Sequence, residues 1–490
     1  NNRGYTPAGV EAWNCVRALD YLQSRDEVDG ERIGVTGRSG GGAYSWWIAA
    51  IDERIKVAVP VAGITSLKNH VVDGCVEGHC DCMYMVNTYR WDYPMVAALV
   101  APRPLLISNT DKDRIFPLDG VVDVYTRTKK IYKFYDADDK LGLHITEGPH
   151  KDTQELRVHA FRWFNHYLRD DDSLITSAAT PLFDQNDLKV FPVLPSDENV
   201  TSIHETFVPT VGTDDLPTEI GPARKLDETT TQLIRQKCFG GWPAVPEKTD
   251  VKLVTEVTRG NTRVRVIDFT SQSPYRLRVY LVGPNHSKPS SLSLHILDKT
   301  KWSTTLSGLA NLVPDHTFDV RPDAGEWETI AALGKTETIA YVAPRGIGPT
   351  EWSAEAKKRT QIRRRFMQLG QTASGMQTYD ILRATIALQD FLKNPDLQFS
   401  LEANNEGASW ALFASLFMKN VDSLTLTDLS PRNRDAPDLL NISRLAEPPQ
   451  IVLMQAARGR KLQIRNRDEW NQQWADLLAD NQLAEQAVKL

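Results

Sequence analysis

The chain has 490 residues, a length that predicts two domains or more. Hydrophobic residues are 41% and charged residues 24%, an ordinary soluble globular balance, and the net charge of −6 argues against a polyanion partner. No apolar run is long enough to span a bilayer, so neither a nucleic-acid nor a membrane partner is expected. The densest basic stretch, Lys357-Lys358-Arg359 followed by Arg363-Arg364-Arg365, reads as the solvated face of a helix with Ile362, Phe366 and Leu369 on its apolar side.

From the N-terminus, Thr6 is a helix N-cap and Pro7 the first helical residue. The helix is predicted over 6–23 and leads to a strand over 31–36. Gly37-Arg38-Ser39-Gly40-Gly41 follows, with Gly42 after it, and opens a helix over 40–52 whose apolar face carries Trp46, Trp47, Ile48 and Ile51. Strands are predicted at 56–61, 104–108 and 131–135, with a long excursion over 64–100. A helix over 152–168 closes the unit. This alternation is doubly wound α/β. Residues 171–250 lack a sustained period and contain Pro181, Pro192, Pro195, Pro209, Pro217 and Pro222 among their prolines; they read as a segment that connects two domains.

The second domain, 251–490, repeats the first. An edge hairpin is expected over 251–283, strands at 292–296, 338–342 and 451–454, and a helix over 374–393. Asn14, Arg17 and Ala18 in the first helix match Asp380, Arg383 and Ala384 in the later one. Arg17 precedes Ser39 by 39 − 17 = 22 positions, and Arg383 precedes Asn405 by 405 − 383 = 22. The expected fold class is therefore tandem α/β-hydrolase folds, with a serine at the first strand-to-helix turn and an asparagine at the second. The second copy has about 374 − 251 = 123 residues of sheet ahead of its matching helix. The first is accordingly expected to be truncated at its N-terminus, its sheet completed by an upstream segment or a partner chain. The domains expected are 1–170, catalytic; 171–250, connecting; and 251–490, degenerate.

The chemistry sits in the first copy. G-x-S-x-G between a strand and a helix is a nucleophile elbow. A serine hydroxyl needs a base to take its proton, and a backbone N–H at the new helix's start, that of Gly40, is placed for a developing oxyanion. The partners follow in the order acid, then histidine. Asp113 lies past strand 104–108 in Asp111-Lys112-Asp113-Arg114-Ile115-Phe116-Pro117; Asp111 is its competitor, with a turn-capping role as the other reading. His150 lies in Gly148-Pro149-His150, ahead of the last helix, whereas His144, His159 and His166 fall on elements. Arg38 and Trp91 are the candidate substrate-binding residues, with Tyr84 and Tyr89 beside Trp91 as either pocket or core. In the second copy Asn405 replaces the serine, Gln455-Ala456-Ala457-Arg458 is read as the place of the missing acid, and no histidine follows His316. That domain cannot run a serine–histidine mechanism and is expected to be structural or to shape the cleft.

Cys75, His79, Cys80, Asp81 and Cys82 fall in one short stretch. The readings are a local disulfide (Cys75 to Cys80 or Cys82), a zinc site, or a reduced buried turn; the spacing is cramped for a tetrahedral site, and neither metal nor cofactor is assigned.

The Gly37–Gly42 elbow, the Asp113-Arg114-Ile115-Phe116-Pro117 loop and the Gly148-Pro149-His150 loop resemble acetyl xylan esterase-like α/β-hydrolases, and in particular bacterial members with a second, degenerate hydrolase domain. The resemblance covers residues 1–170 well and the second domain more loosely. It implies carboxylic ester hydrolysis, acetylated polysaccharide such as xylan as substrate, and a secreted or periplasmic location. By position, Ser39 would be the nucleophile, His150 the general base and Asp113 its orienting acid. The loop that supplies a second oxyanion donor lies, by the same resemblance, upstream of the first helix, so this chain by itself is expected to turn esters over weakly. The rival readings are a prolyl oligopeptidase-type serine peptidase, which shares the triad, and a non-catalytic scaffold.

Overall fold

The computed structural model describes residues 2–80, 86–175, 183–200, 202–203, 206–285, 288–310 and 320–490. It divides into two compact units. The first comprises Tyr5–Val208 and Thr360–Gly370; the second comprises Pro209–Arg359 and Gln371–Leu490 with the first four residues. The segment expected to connect the domains, 171–250, is thus shared between them at Val208.

The first unit begins with α1 (Pro7–Gln23), where Thr6 Oγ1 accepts from Gly9 N at 3.0 Å and Pro7 occupies the first helical position. There follow β1 (Ile33–Arg38), α2 (Gly40–Ile51), β2 (Ile55–Val61), α3 (Leu67–Val71), α4 (Tyr93–Ala98), β3 (Leu105–Thr110), α5 (Leu118–Phe134), β4 (Leu141–Thr146) and α6 (Gln154–Arg169). The four strands are parallel in the order β1-β2-β3-β4. The central strands β2 and β3 are buried along nearly their whole length, as a sheet covered by helices on either side requires, whereas β1 and β4 are only partly so. One core cluster joins the sheet to α1, α2, α4 and α5 through Leu19, Trp46, Ile48, Tyr93, Val124 and Tyr132. A smaller one packs Leu156, Ala160, Trp163 and Phe164 of α6 on Val59, Val61 and Leu106.

One predicted strand of this unit is wrong. Ile131-Tyr132-Lys133-Phe134-Tyr135 ends α5, whose buried positions Val121, Val124, Thr128 and Tyr132 fall at helical spacing; the strand is Leu141–Thr146.

The second unit holds a nine-stranded mixed sheet. Its strands are β5 (Lys252–Arg259), β6 (Thr262–Gln272), β7 (Tyr275–Pro284), β8 (Ser291–Ile296), β9 (Ile339–Val342), β10 (Gln398–Asn404), β11 (Val421–Thr427), β12 (Lys461–Arg465) and β13 (Val488–Lys489). Their order is β13-β12-β11-β10-β8-β9-β7-β6-β5, antiparallel from β5 to β9 through β6 and β7 and parallel elsewhere. The helices after α6 are α7 (Ile220–Lys237), α8 (Lys299–Leu309), α9 (Ala324–Leu333), α10 (Ala356–Gln368), α11 (Ala373–Leu392), α12 (Glu406–Ser415), α13 (Pro448–Ala457), α14 (Asp468–Leu478) and α15 (Gln482–Ala487). Ile451–Met454, expected as a strand, lies inside α13. Two prolines at its start and a Glu447/Gln450 capping box drive that helix.

The basic segment is helical, in α10, but Leu369 is 39% exposed and the inward residues are Gln361, Met367 and Gln368. Of its arginines, Arg364 donates to His79 O at 2.9 Å and Arg365 pairs with Glu77, so these two fasten a loop and do not simply face solvent. No helix among the described residues is long and apolar enough to cross a membrane.

The internal repeat is legible residue by residue at an offset of 366. Thr372 caps α11 through Gly375 N as Thr6 caps α1 through Gly9 N. Ile33 pairs with Ile55, and Phe399 with Val421; both pairs are followed by the same register shift, after which Gly34 faces Val57 and Ser400 faces Ser423.

Candidate active site

Ser39 stands between β1 and α2 at φ 61°, ψ −116°, a conformation that costs a non-glycine residue about 1–3 kcal/mol. The turn is held by Ser39 N donating to Val61 O at 3.0 Å and Ala43 N donating to Ser39 O at 2.9 Å. The Ser39 hydroxyl does not cap α2. The surrounding glycines are there for close approach. A Cβ on Gly37 would lie 2.5 Å from the Gly41 carbonyl, and one on Gly42 would lie 2.4 Å from Val61 O. Gly63, outside the motif, is as constrained: its Cβ would sit 2.1 Å from the Gly42 carbonyl carbon. By contrast a Cβ on Gly40 or Gly41 meets nothing within 4 Å, so the space over the first turn of α2, where the Gly40 N–H lies, is open.

The acid and the histidine come from the loops after β3 and β4, at the carboxyl ends of the parallel strands, where α/β sheets place their sites. The Asp113 side chain is fully buried. Its Oδ1 accepts from Ile115 N at 2.8 Å and Phe116 N at 3.0 Å, and its Oδ2 meets His150 Nδ1 at 2.7 Å. A carboxylate that already accepts two amides takes the Nδ1 hydrogen of His150, leaving Nε2 with its lone pair. The Phe116 ring lies 5.7 Å from that of His150. Asp111 has the other role weighed for it: its Oδ1 accepts from Gly148 N at 2.8 Å. With Lys112 N to Gly148 O at 3.0 Å and Thr110 Oγ1 to Pro149 O at 2.9 Å, it clamps the histidine loop to the acid loop.

Arg38 ends β1 with its side chain exposed. Trp91 lines a cavity of about 360 Å³ with Ala12, Trp13, Trp47, Ile51 and Tyr89, and none of Ser39, Asp113 or His150 is among its lining residues. Tyr84 lies outside the described residues, as do Asp81 and Cys82. The disulfide expected at Cys75 is not formed: Cys75 is a free thiol, as are Cys15 and Cys238, whereas Cys80 is disulfide-bonded. His79, named in the sequence with the cysteines, donates through Nε2 to Ile115 O at 3.0 Å within the acid loop; His70, whose ring lies 4.7 Å from that of His79, carried no sequence signal.

In the second unit the elbow backbone persists without the chemistry. Asn405 keeps φ 49°, ψ −125°, and its N donates to Thr427 O at 2.9 Å. Its side-chain amide is bonded to Asp298 Oδ2 at 2.7 Å, in the turn after β8. A carboxylate beside the elbow opposes any oxyanion. The acid's counterpart is not Gln455–Arg458, which falls in and just after α13. Ala62 N donates to Ser108 O at 2.8 Å, and Asp428 N to Arg465 O at 2.8 Å. The segment after β12 is therefore the match, and Trp470, in the first turn of α14 (Asp468–Leu478), falls at the place of Asp113 (113 + 465 − 108 = 470).

Residues 6–168 match the model of the prolyl oligopeptidase family. A curated relative, "Putative hydrolase YtaP" of Bacillus subtilis (strain 168), is 31% identical over 163 residues, which are 33% of this chain and 54% of that protein. The chain thus spans about half the length of the curated relative it matches. Among solved structures it is similar to a "putative acetyl xylan esterase" from Bacteroides fragilis NCTC 9343, at 13% identity over 57% of this chain and 76% of that one, with a TM-score of 0.39. It is also similar to a glucuronoyl esterase from Caldicellulosiruptor kristjansonii, at 24% identity over 37% and 57%, with a TM-score of 0.29. The parallel sheet, the elbow and the family match make the first unit an α/β-hydrolase fold, and the shared register extends that fold to the second unit. The expected class, tandem α/β-hydrolase folds, is borne out.

Proposed function

We propose that the chain is a serine carboxylic-ester hydrolase that removes acetyl groups from a polysaccharide such as xylan, with Ser39, His150 and Asp113 as its triad. The observation that carries this reading is the 2.7 Å contact between His150 Nδ1 and the fully buried Asp113 Oδ2. It fixes the imidazole tautomer and leaves Nε2 as the base.

In the proposed reaction His150 Nε2 takes the Ser39 proton as Oγ attacks the ester carbonyl. The tetrahedral oxyanion forms over the open first turn of α2, toward the Gly40 N–H. As the C–O bond breaks, His150 gives the proton to the leaving sugar oxygen, which departs as a hydroxyl, and acetyl stays on Ser39. Water, deprotonated by the same nitrogen, then releases acetate. Asp113 stays ionised throughout and holds the ring. A secreted or periplasmic location belongs to the same proposal, since the polymer substrate lies outside the cell.

A second reading, a peptidase of the prolyl oligopeptidase type, is favoured by the family model that matches residues 6–168; it requires the same triad. The test is labelling of the purified chain by a fluorophosphonate, followed by turnover of p-nitrophenyl acetate and of a proline anilide. Labelling at Ser39 that is lost in Ser39→Ala, with acetyl ester preferred, supports the esterase. Preference for the anilide supports the peptidase. A chain whose Ser39 stays unlabelled is a scaffold, and both enzymatic readings fall.

A further inference from the structure

We propose that His70, Cys75 and His79 together bind one divalent transition-metal ion of the zinc class, held against the loop that carries Asp113. The three residues lie in the excursion after β2: His70 in α3, Cys75 at the start of a short 3-10 turn, and His79 just after that turn. Their ligand atoms all lie within 4.8 Å of one another. Cys75 is not committed to a disulfide.

The two histidines are 1% and 4% exposed, and each has a ring nitrogen without a hydrogen-bond partner: Nε2 of His70 and Nδ1 of His79. For His79 the tautomer follows from its other nitrogen. Nε2 lies 3.0 Å from Ile115 O, and a carbonyl only accepts, so Nε2 carries the hydrogen and Nδ1 the lone pair. An imidazole whose remote N–H is pinned by a backbone carbonyl while the near nitrogen presents its lone pair is the usual arrangement of a metal-bound histidine.

His70 reaches the same state through Gln368. The Gln368 amide nitrogen is placed 2.9 Å from His70 Nδ1, while Gln368 Oε1 is itself buried without a partner. Amide orientation is an assignment from the network. Turned over, Oε1 accepts from Nδ1–H, and His70 Nε2 holds a lone pair beside those of His79 and Cys75.

A buried polar atom without a partner is destabilising, and here two imidazole nitrogens share one small space. One cation satisfies both. Two imidazoles and a thiolate suit a tetrahedral zinc-class ion with its fourth position open to water or another donor. They do not suit calcium or magnesium, which take oxygen ligands. Zn–N bonds of about 2.0–2.1 Å and a Zn–S bond of about 2.3 Å draw the donors closer than they now stand, a movement on the scale of side-chain rotation.

The place of the cluster gives it a consequence. His79 bonds to Ile115 O, and its ring packs on Phe116 at 4.8 Å. The amides of Ile115 and Phe116 are the two that hold Asp113 Oδ1. His79 is thus a positioning residue for the acid loop, and the ion would stiffen that loop. The binding itself stands whether or not Ser39 is the nucleophile.

The experiment strips the full chain with a chelator, removes the chelator and titrates with Zn²⁺ or Co²⁺. The expected result is one zinc per chain bound at micromolar metal or tighter. The cobalt form should show the intense visible bands of a four-coordinate ion and a thiolate-to-cobalt charge-transfer band. Cys75→Ser should lose the charge-transfer band while melting as the metal-free wild type does; Cys15→Ser should keep it. No stoichiometric zinc in the wild type, a weak six-coordinate cobalt spectrum, or a charge-transfer band that survives Cys75→Ser would each overturn the proposal. The wild-type measurements decide it even if a variant misfolds.

Discussion

At Ser39 the backbone pays for position. A serine at φ 61°, ψ −116° is strained by about 1–3 kcal/mol, and only glycine adopts such angles freely. Ser39→Ala keeps the Cβ and hence the strain. Ser39→Gly removes it, against a loss of about 0.5–1 kcal/mol from the greater freedom of the unfolded glycine. Both variants should be inactive, but Ser39→Gly is expected to be the more stable by about 1 kcal/mol in denaturant titration. Equal midpoints would show that the turn is not strained in solution. Asp113 acts differently, through the ring it holds. In Asp113→Asn the amide offers His150 a donor or an acceptor, so the imidazole takes the wrong tautomer. A loss of about 10⁴-fold in kcat for p-nitrophenyl acetate with an unchanged fold is expected; a loss of tenfold or less would mean that Asp113 does not orient the base.

Among the elements, the two elbow strands share a register yet differ in surroundings. Leu401 of β10 pairs with Leu424 on one side and Leu294 on the other and is 1% exposed. Its counterpart Val35 (35 + 366 = 401) pairs with Ala58, and among the described residues β1 is the edge of its sheet. The flanking helices differ in the same sense. Arg383 of α11 is buried and donates to the Ser271 carbonyl at 3.0 Å, and Asp380 is buried against Arg345 at 2.7 Å. At the matching places on α1, Asn14 and Arg17 are exposed, with Arg17 stacked 4.7 Å over Trp13. An edge strand opens without the rest of its sheet. Amides of β1 are therefore expected to exchange with deuterium orders of magnitude faster than those of β10, and equal protection would mean that the β1 edge is covered in solution. The elbow, β1 to β3 and α1 were legible in the sequence because glycines, a proline and short apolar runs mark them. The end of α5 and the middle of α13 were not, because Ile131–Tyr135 and Ile451–Met454 are β-rich in composition; the helical spacing of α5 shows only over a longer window, and α13 is buried on every side and has no apolar stripe to show. With Ile451–Met454 read as the strand, the acid position falls in and just after α13; Asp113 and His150 are legible because their loops have turn residues on both sides. The orphaned nitrogens of His70 and His79 had no sequence signal, since a partner that is absent is visible only in three dimensions.

For the whole molecule, both units hold a half-buried histidine that resists protonation, and this links stability to pH. His144 on β4 is pushed down to about 4 by burial, with His159, stacked at 3.8 Å, opposing its charge further. Its Nε2 has no partner that would reward a proton. His295 on β8 is also lowered by burial and by Lys301, although Glu402 at 3.7 Å works the other way, and the neighbouring Tyr341 ring is neutral. The unfolded chain protonates histidine near 6.5, the folded chain only lower, so between these values the unfolded state holds more protons. Stability then rises with pH in that window: full above about 6.5, it is lost as pH falls toward 4. Carboxylates lowered by ion pairs, such as Asp52 beside Arg54, act in the same direction but only once pH nears the usual carboxylate range. The window from 6.5 to about 5 therefore belongs to histidine. The melting temperature is expected to fall across it, and the double variant His144→Phe/His295→Phe, which keeps aromatic rings at both places, should show a shallower fall than the wild type. Parallel curves for the two proteins would assign the acid sensitivity to other groups.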